Sequence, residues 1–416
     1  MKKLSVIGMG NLGLPLALVF ASENFSVYGV DIDQDRVNNL KNGVLPIKET
    51  GLEELLNKPE VKKNFNATDN TQEAILNSVA SFIVVNTPSN PDGSYSLKYL
   101  KSVSTTVGQA LRITNNFHVV VGVSTVSPGD YQNEIIPILE EESGKKCGKD
   151  FGFVHNPEFV ALGSVIKDNL TPDFRVLGES DEKSGKIIEE IYTSFSKSPI
   201  VKMSIINAEL TKIALNCYLT IKISFANTIG EMCQSIKGGN ADLVLKALGL
   251  DKRISPKFLG AGLGYGGPCF PRDDVALMSF GKKVGAQAYL SEASQKVNDR
   301  QVEIALNRIN KIEDVKSILA LGLSYKPDVP YIKESQAFEI VEKLVESNKY
   351  DITVYDPQAM DYAKNVLESR VQYANSLQDG LSKNCDLILI LTPWKEFKNL
   401  EHNSKLLNFW KSETTK

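Results

Sequence analysis

Cysteine and histidine are scarce in this chain of 416 residues, which has five of the first and three of the second. Cys147, Cys217, Cys233, Cys269 and Cys385 include no C-x-x-C pair. Their scatter disfavours a disulfide framework or a zinc knuckle and fits a reducing compartment. Of the histidines, His118 opens an apolar strand and His402 lies near the tail, so a histidine acid/base is disfavoured and no metal site is expected. Strong charge of one sign is also missing. A net charge of -3 argues against a nucleic-acid partner, while leaving room for local basic pockets that take an anionic substrate. Low-complexity tracts are absent, and 42% hydrophobic with 23% charged residues is the composition of an ordinary globular protein. Only the first twenty residues are apolar enough to suggest a secretory signal. Gly8, Gly10 and Gly13 punctuate that run at a spacing with its own explanation, and no convincing cleavage site follows. No other stretch is suited to spanning a bilayer, so the expectation is a cytoplasmic protein without a membrane partner.

What is present is alternation. Leu4 to Ile7 reads as a strand, Leu14 to Ser22 as a helix and Ser26 to Val30 as a second strand, together one β-α-β unit. Strand signals recur at Ser81 to Asn86, Phe117 to Val123 and Phe151 to Val154, between helical stretches at Leu97 to Leu111 and Asp130 to Glu142. This predicts a parallel sheet covered on both faces. From Asn207 to Ile236 the pattern becomes one long, mostly apolar helix, and helical character continues to about Asn310. Strands return at Ser317 to Leu321, Asp351 to Tyr355 and Asp386 to Leu391, and their sequences echo those of the first segment. The expected architecture is α/β: two Rossmann-like, doubly wound parallel-sheet domains, 1–200 and 311–416, joined by a central all-helical domain, 201–310, that contains the long helix.

Gly8-Met9-Gly10-Asn11-Leu12-Gly13 is a weak motif by itself, because ordinary tight turns also use glycine. Its context strengthens it. The motif follows a strand, opens a helix and lies 18 residues before Asp31, which ends the next strand and is placed to accept from an adenosine ribose. Glycine lets the backbone approach a pyrophosphate at the helix N-terminus, and Asp31 would repel a 2′-phosphate, so the expected cofactor is NAD rather than NADP. Arg36 reads either as a neighbour of the adenosine or as a solvated helix residue.

For the chemistry, the stretch Gly264 to Asp273 stands out. Cys269 lies in a turn dense with glycine and proline, beside Arg272 and Asp273, which suits a nucleophilic thiolate; a lone loop cysteine is as often structural. Cys217, Cys233 and Cys385 lie in apolar patterns and read as buried, unreactive thiols, and Cys147 reads as part of an exposed lysine-rich loop. Lys212 and Asn216 share one helix face, continued by Thr220, Asn227 and Glu231. On so apolar a helix this stripe lines a site or faces solvent, and Glu209 with Lys212 would also serve as a plain surface ion pair.

These residues together resemble the UDP-glucose/GDP-mannose dehydrogenase family of nucleotide-sugar 6-dehydrogenases. The resemblance covers nearly the whole chain. It rests on Gly8 to Gly13 with Asp31, Thr87-Pro88, Ser124 to Gly129, Asn156-Pro157-Glu158-Phe159, Lys212 with Asn216, Gly266 to Asp273, and Tyr325-Lys326-Pro327-Asp328 followed by Glu334-Ser335. It implies an NAD-binding N-terminal domain, a central domain for dimerisation and the catalytic loop, and a C-terminal domain that binds the UDP of a nucleotide sugar. It further implies a homodimer and two-step oxidation of the C6 alcohol, most simply of UDP-glucose to UDP-glucuronate for polysaccharide biosynthesis, through a thiohemiacetal and a thioester on Cys269. Lys212 and Asn216 would stabilise the oxyanion, Asp273 would help position a water, and Thr125 and Glu158 would assist proton transfer and thioester hydrolysis. Phe258, Leu259, Gly260, Ala261, Gly262, Gly266 and Lys326 would contact the UDP-sugar with Glu158, Lys212 and Asn216; Thr87, Thr125, Arg272 and Lys333 would face the cofactor.

The chain departs from the family in places. Relatives often carry an acidic residue where Leu162 stands, an arginine at Lys333, a lysine at Arg272 and a serine at Pro268. Hydrolysis would then lean on Glu158, and Lys333 lacks the guanidinium fork. UDP-N-acetylhexosamines and GDP-mannose are alternative substrates. The rival classes are a single-step hydroxyacid dehydrogenase, which needs no cysteine, and a nucleotide-sugar-binding protein without turnover.

Overall fold

The computed structural model describes residues 2–411, and the chain divides into two compact units, Met1–Ala214 and Leu215–Lys416. The fold is α/β, with a Rossmann-like sheet in each unit and a helical central region.

Among the described residues the first unit holds an eight-stranded sheet. Its strands are β1 (Lys3–Ile7), β2 (Ser26–Val30), β3 (Phe65–Thr68), β4 (Ala80–Ile83), β5 (Val119–Gly122), β6 (Gly152–His155), β7 (Arg175–Glu179) and β8 (Ile200–Met203), in the order β3-β2-β1-β4-β5-β6-β7-β8. β1 sits between β2 and β4, both parallel to it. Strand order therefore reverses between β1 and β4, which opens a crevice at their carboxyl ends, where such sheets bind ligands. Leu4, Val6, Phe82, Val119 and Val121 are fully buried, as strands covered on both faces must be. The expectation of a wholly parallel sheet fails at one place: β6 and β7 pair antiparallel. The apolar run once compatible with a signal sequence is spent on β1 and the glycine-loop helix (Gly13–Ser22), whose Leu14, Leu18 and Phe20 are fully buried.

The second unit has a parallel sheet of β9 (Ser317–Leu321), β10 (Asp351–Tyr355), β11 (Gln372–Tyr373), β12 (Leu387–Ile390) and β13 (Lys405–Asn408), ordered β11-β10-β9-β12-β13. This repeats the β3-β2-β1-β4-β5 order of the first. The echo extends to the turns, since Gly8 and Gly322 leave their strands with φ of +102° and +91°. It stops at the acids. Asp356, at the end of β10, takes N–H groups of Leu323, Ser324, Gln358 and Ala359 and the indole of Trp394. It is 1% exposed and acts as a lock within the fold.

The helix read as Asp130 to Glu142 is two pieces, a π turn at Tyr131–Ile135 and an α-helix at Ile136–Ser143. Pro137 has no N–H to give and would crowd the carbonyl four residues back; the ladder widens just before it, with the Ile136 N–H bonding to Tyr131. The long helix runs from Ile205 to Gln234, and its buried face mixes polar residues with Ile205, Ala208, Ile213, Cys217 and Ala226. Glu209, Lys212, Asn216, Thr220, Ser224 and Asn227 are buried, while Leu210, Tyr218, Phe225 and Met232 are exposed. Among the described residues no helix is long and apolar enough to cross a membrane.

Candidate active site

In the first unit the candidate residues stand at the carboxyl ends of successive strands. After β1, a Cβ on Gly8 would collide with the Val84 carbonyl and one on Gly13 with the Gly8 carbonyl, whereas one on Gly10 would meet nothing within 4 Å. Two glycines thus close the turn and the third leaves room for a ligand to approach the backbone. Leu12 caps the following helix without a side-chain hydrogen bond; in the first turn the Leu14 N–H already bonds to the Gly10 carbonyl and Pro15 has none to give. Asp31, after β2, accepts from the Met9 N–H (2.8 Å), ties the end of β2 to this turn, and pairs with Arg36 at 2.9 Å. Arg36 is thus tied to Asp31 and only partly exposed. This set fits the adenosine, ribose and pyrophosphate of NAD.

After β4 and β5, Ser124 Oγ accepts from the Val85 N–H and donates to its carbonyl, and Thr87 Oγ1 donates to the Thr125 carbonyl at 2.7 Å. The loops carrying Thr87 and Thr125 are thereby fastened together. Glu209 fastens the second of them to the long helix, accepting from the Gly129 N–H at 2.6 Å and the Tyr131 N–H at 2.9 Å. With Glu209 0% and Lys212 9% exposed, the surface ion-pair reading of these two is wrong. Burial pushes the Glu209 carboxyl up to about 7 against the two amides that favour its anion. Lys212 Nζ lies 5.3 Å from the Phe159 ring centroid. Glu158 follows β6; burial raises its pKa, opposed by the charges of Arg175 and Lys212.

In the second unit the buried stripe of the long helix is explained residue by residue. Asn216 donates to Asp273 (2.6 Å), Thr220 to Asp274 (3.1 Å) and Asn227 to the Leu263 carbonyl (3.3 Å), while Asn227 also accepts the Gly262 N–H (2.9 Å). The stripe holds the loop from Phe258 through the cysteine turn. Glu231 stands apart, paired with Arg300. Cys269 is exposed at the head of the helix Phe270–Val284, where the helix end favours negative charge. Asp273, one turn on, is wholly buried and also meets Arg272 Nε at 3.3 Å. Gly266 and Gly267 pack so tightly on Glu334 and Tyr325 that a Cβ on either would clash, which sets Lys326 beside this turn. Phe258 is half exposed with φ of +60°, and Lys333 is exposed. Of the other thiols, Cys217, Cys233 and Cys385 are buried, and burial raises the Cys217 thiol well above its ordinary range. Cys147 is half-buried rather than exposed, because its amide and flank fold onto Glu140.

Sequence reading missed several groups here. Asp274 accepts from Thr220 and from the Tyr265 hydroxyl at 2.8 Å, and the adjacent acids at 273 and 274 are the only sequence trace of it. Arg175 is 3% exposed and stacked 3.9 Å from the Tyr192 ring centroid. Nothing in its local sequence distinguishes it.

A dinucleotide crevice at the carboxyl ends of the first sheet, with an aspartate closing the second strand, is the cofactor site of an NAD-dependent oxidoreductase. Its relatives say which. The chain matches the UDP-glucose/GDP-mannose dehydrogenase family in its NAD binding domain over residues 2–196, its central domain over 206–300 and its UDP binding domain over 319–412, and it belongs to that family. A UDP-glucose 6-dehydrogenase of Haloferax volcanii is 36% identical over 96% of this chain and 93% of its own length. A GDP-mannose 6-dehydrogenase of Pseudomonas syringae is 32% identical over 97% of this chain and 93% of its own. Among solved structures, a UDP-glucose dehydrogenase from the hyperthermophilic archaeon Pyrobaculum islandicum is 33% identical with a TM-score of 0.90, covering 100% of this chain and 95% of that one.

Proposed function

We propose that this chain oxidises the C6 alcohol of UDP-glucose to the carboxylate in two steps, through covalent adducts on Cys269. The observation that carries the reading is Cys269 at the head of its helix, with Asp273 one turn later bound to Asn216. Bound NAD supplies the hydride acceptor for each oxidation. The glycine turn and Asp31 hold it at the adenosine end, and Thr87, Thr125, Arg272 and Lys333 hold it nearer the reacting carbon. Phe258 to Gly262, Gly266 and Lys326 seat the UDP-sugar. The Cys269 sulfur adds to the aldehyde, giving a thiohemiacetal whose oxidation yields a thioester, so no aldehyde need escape. Lys212 and Asn216 stabilise the oxygen that gains charge in each addition. Glu158 and Thr125 handle protons, and water releases the acid. The working domain division is 1–200, 201–310 and 311–416. The exposed Tyr218, Phe225 and Met232 of the long helix support a homodimer through that face, which light scattering tests. We place the enzyme in the cytoplasm, supplying uronate for polysaccharide synthesis.

The substrate is tested with UDP-glucose, UDP-N-acetylhexosamines and GDP-mannose, counting NADH per sugar. Two NADH from UDP-glucose, at the highest kcat/KM of the panel, is expected. A preference for GDP-mannose, supported as the second reading by relatives of that name, would replace it.

A further inference from the structure

Asp274 stands in the first turns of the helix Phe270–Val284, wholly buried, where three elements of the second unit meet. The Tyr265 hydroxyl, from the cysteine turn, donates to its Oδ2 at 2.8 Å. The Thr220 hydroxyl, from the long helix, lies 3.1 Å from its Oδ1. Ser291, near the start of the helix Tyr289–Asn310, also hydrogen-bonds to it. Taking a carboxylate out of water is costly unless donors surround it, and these donors come from all sides. Burial raises its pKa, and the hydrogen bonds oppose the rise.

The Tyr265–Asp274 bond spans the turn that carries Cys269, joining residues nine apart in sequence. Both of its ends are held in place. The Tyr265 N–H donates to Asn298 Oδ1 at 2.7 Å, and Asn298 Nδ2 donates back to the Tyr265 carbonyl at 3.0 Å. The Tyr265 ring meets the Phe270 ring edge-on with centroids 6.3 Å apart, and Phe258 meets Phe270 at 6.2 Å. Cys269 is exposed between these buried anchors. An exposed side chain takes its position from the backbone that carries it. We propose that Tyr265 and Asp274 are positioning residues for Cys269, their hydrogen bond clasping the turn so that the thiol stays at the helix N-terminus, where negative charge is favoured. This rests on the reading that Cys269 is the nucleophile. Every residue of the clasp belongs to the second unit.

Three variants separate positioning from packing. Tyr265→Phe removes the hydroxyl and keeps the ring against Phe270. Thr220→Val takes a hydroxyl from the same carboxylate without touching the turn. Asp274→Asn keeps an oxygen for Tyr265 and offers its NH2 to Thr220, whose own proton has the Cys217 carbonyl to go to at 2.7 Å. The readouts are the rate at which iodoacetamide labels Cys269 near neutral pH, followed by peptide mass, the steady turnover of UDP-glucose and NAD, and the melting midpoint. In Tyr265→Phe the labelling should slow roughly threefold, as weakening of a helix-end interaction implies. Its turnover should fall roughly tenfold or more, as for a misplaced reacting group, with both KM values nearly unchanged. Thr220→Val should melt lower by a similar margin yet label and turn over at the unmodified rate, and Asp274→Asn should label like the unmodified enzyme. Equal slowing in Tyr265→Phe and Thr220→Val would reduce these bonds to support of the fold. An unmodified labelling rate in Tyr265→Phe, its failure to fold, or slow labelling of Asp274→Asn would overturn the proposal. Slowed labelling of Tyr265→Phe with normal turnover would leave the clasp standing and sink the nucleophile reading instead.

Discussion

Asn216 Nδ2 donates to Asp273 Oδ2 at 2.6 Å, and both side chains are buried. The bond joins the long helix to the first turn behind Cys269, because the Asp273 N–H in turn donates to the Cys269 carbonyl at 2.9 Å. An acceptor-only partner also decides the orientation of the Asn216 amide, sending its NH2 to Asp273 and leaving its oxygen for other donors.

Replacing Asp273 by Asn keeps the volume and removes the charge, so the amide pair loses its fixed sense. Turnover of Asp273→Asn should drop on the order of a hundredfold, the usual scale for disturbing a preorganised polar group, with the NAD dissociation constant nearly unchanged. Steady-state kinetics beside a fluorescence titration of NAD checks this. Equal loss in both would mean that Asp273 only supports the fold.

At the adenosine end, Asp31 accepts from Met9 and holds Arg36 at 2.9 Å. Asp31→Ala should weaken NAD and also release Arg36 toward a 2′-phosphate, so the preference for NAD over NADP should narrow by roughly tenfold or more. The measurement is kcat/KM with each cofactor. An unchanged ratio would remove Asp31 from cofactor choice.

Much of the frame was legible because its signal is local. Ser26 to Val30, Ser317 to Leu321 and Asp351 to Tyr355 are short apolar strands between turn residues, and the structure has strands with those limits. β7 and β8 were missed for opposite reasons. β7 begins with a buried arginine, which a hydrophobic pattern rejects, and β8 is a half-exposed edge strand containing Lys202. In the candidate site the sequence brought out the candidates that stand in local patterns, such as Cys269 and Lys212. Glu209 acts by tertiary contact on the Gly129 loop, 80 residues away, and that bond leaves no local trace.

Glu209 makes a pH-dependent contribution to stability. Its carboxyl is raised in the folded protein from an ordinary 4.5 to about 7 by burial, so the folded state binds this proton more tightly than the unfolded chain. The stabilisation is complete below about pH 4.5 and is lost as pH rises through 7. At about 1.4 kcal/mol per pH unit the loss is on the order of 3 kcal/mol. Glu209→Gln should flatten the thermal midpoint between pH 5 and 7.5 by a few degrees, roughly as that energy implies for a large domain. Melting curves across this range test it, and equal slopes in the two proteins would mean that Glu209 does not titrate there.

The most decisive substitution is at Cys269, because it separates a two-step oxidation from any one-step rival. The side chain is small and exposed at a helix head, so Cys269→Ala should fold and bind NAD normally. It should make no acid. Cys269→Ser should be nearly as poor, since a hydroxyl is hardly ionised near neutral pH whereas a thiol at a helix N-terminus has a usable anionic fraction. Alkylation should inactivate the unmodified enzyme, and UDP-glucose should protect it. Peptide mapping should find the label on Cys269 ahead of Cys217, whose burial raises its thiol far out of the reactive range, and ahead of Cys233 and Cys385, which are also buried. Full acid production by Cys269→Ala, or one NADH per sugar from the unmodified enzyme, would return the chain to single-step chemistry on the Lys212 and Asn216 face alone.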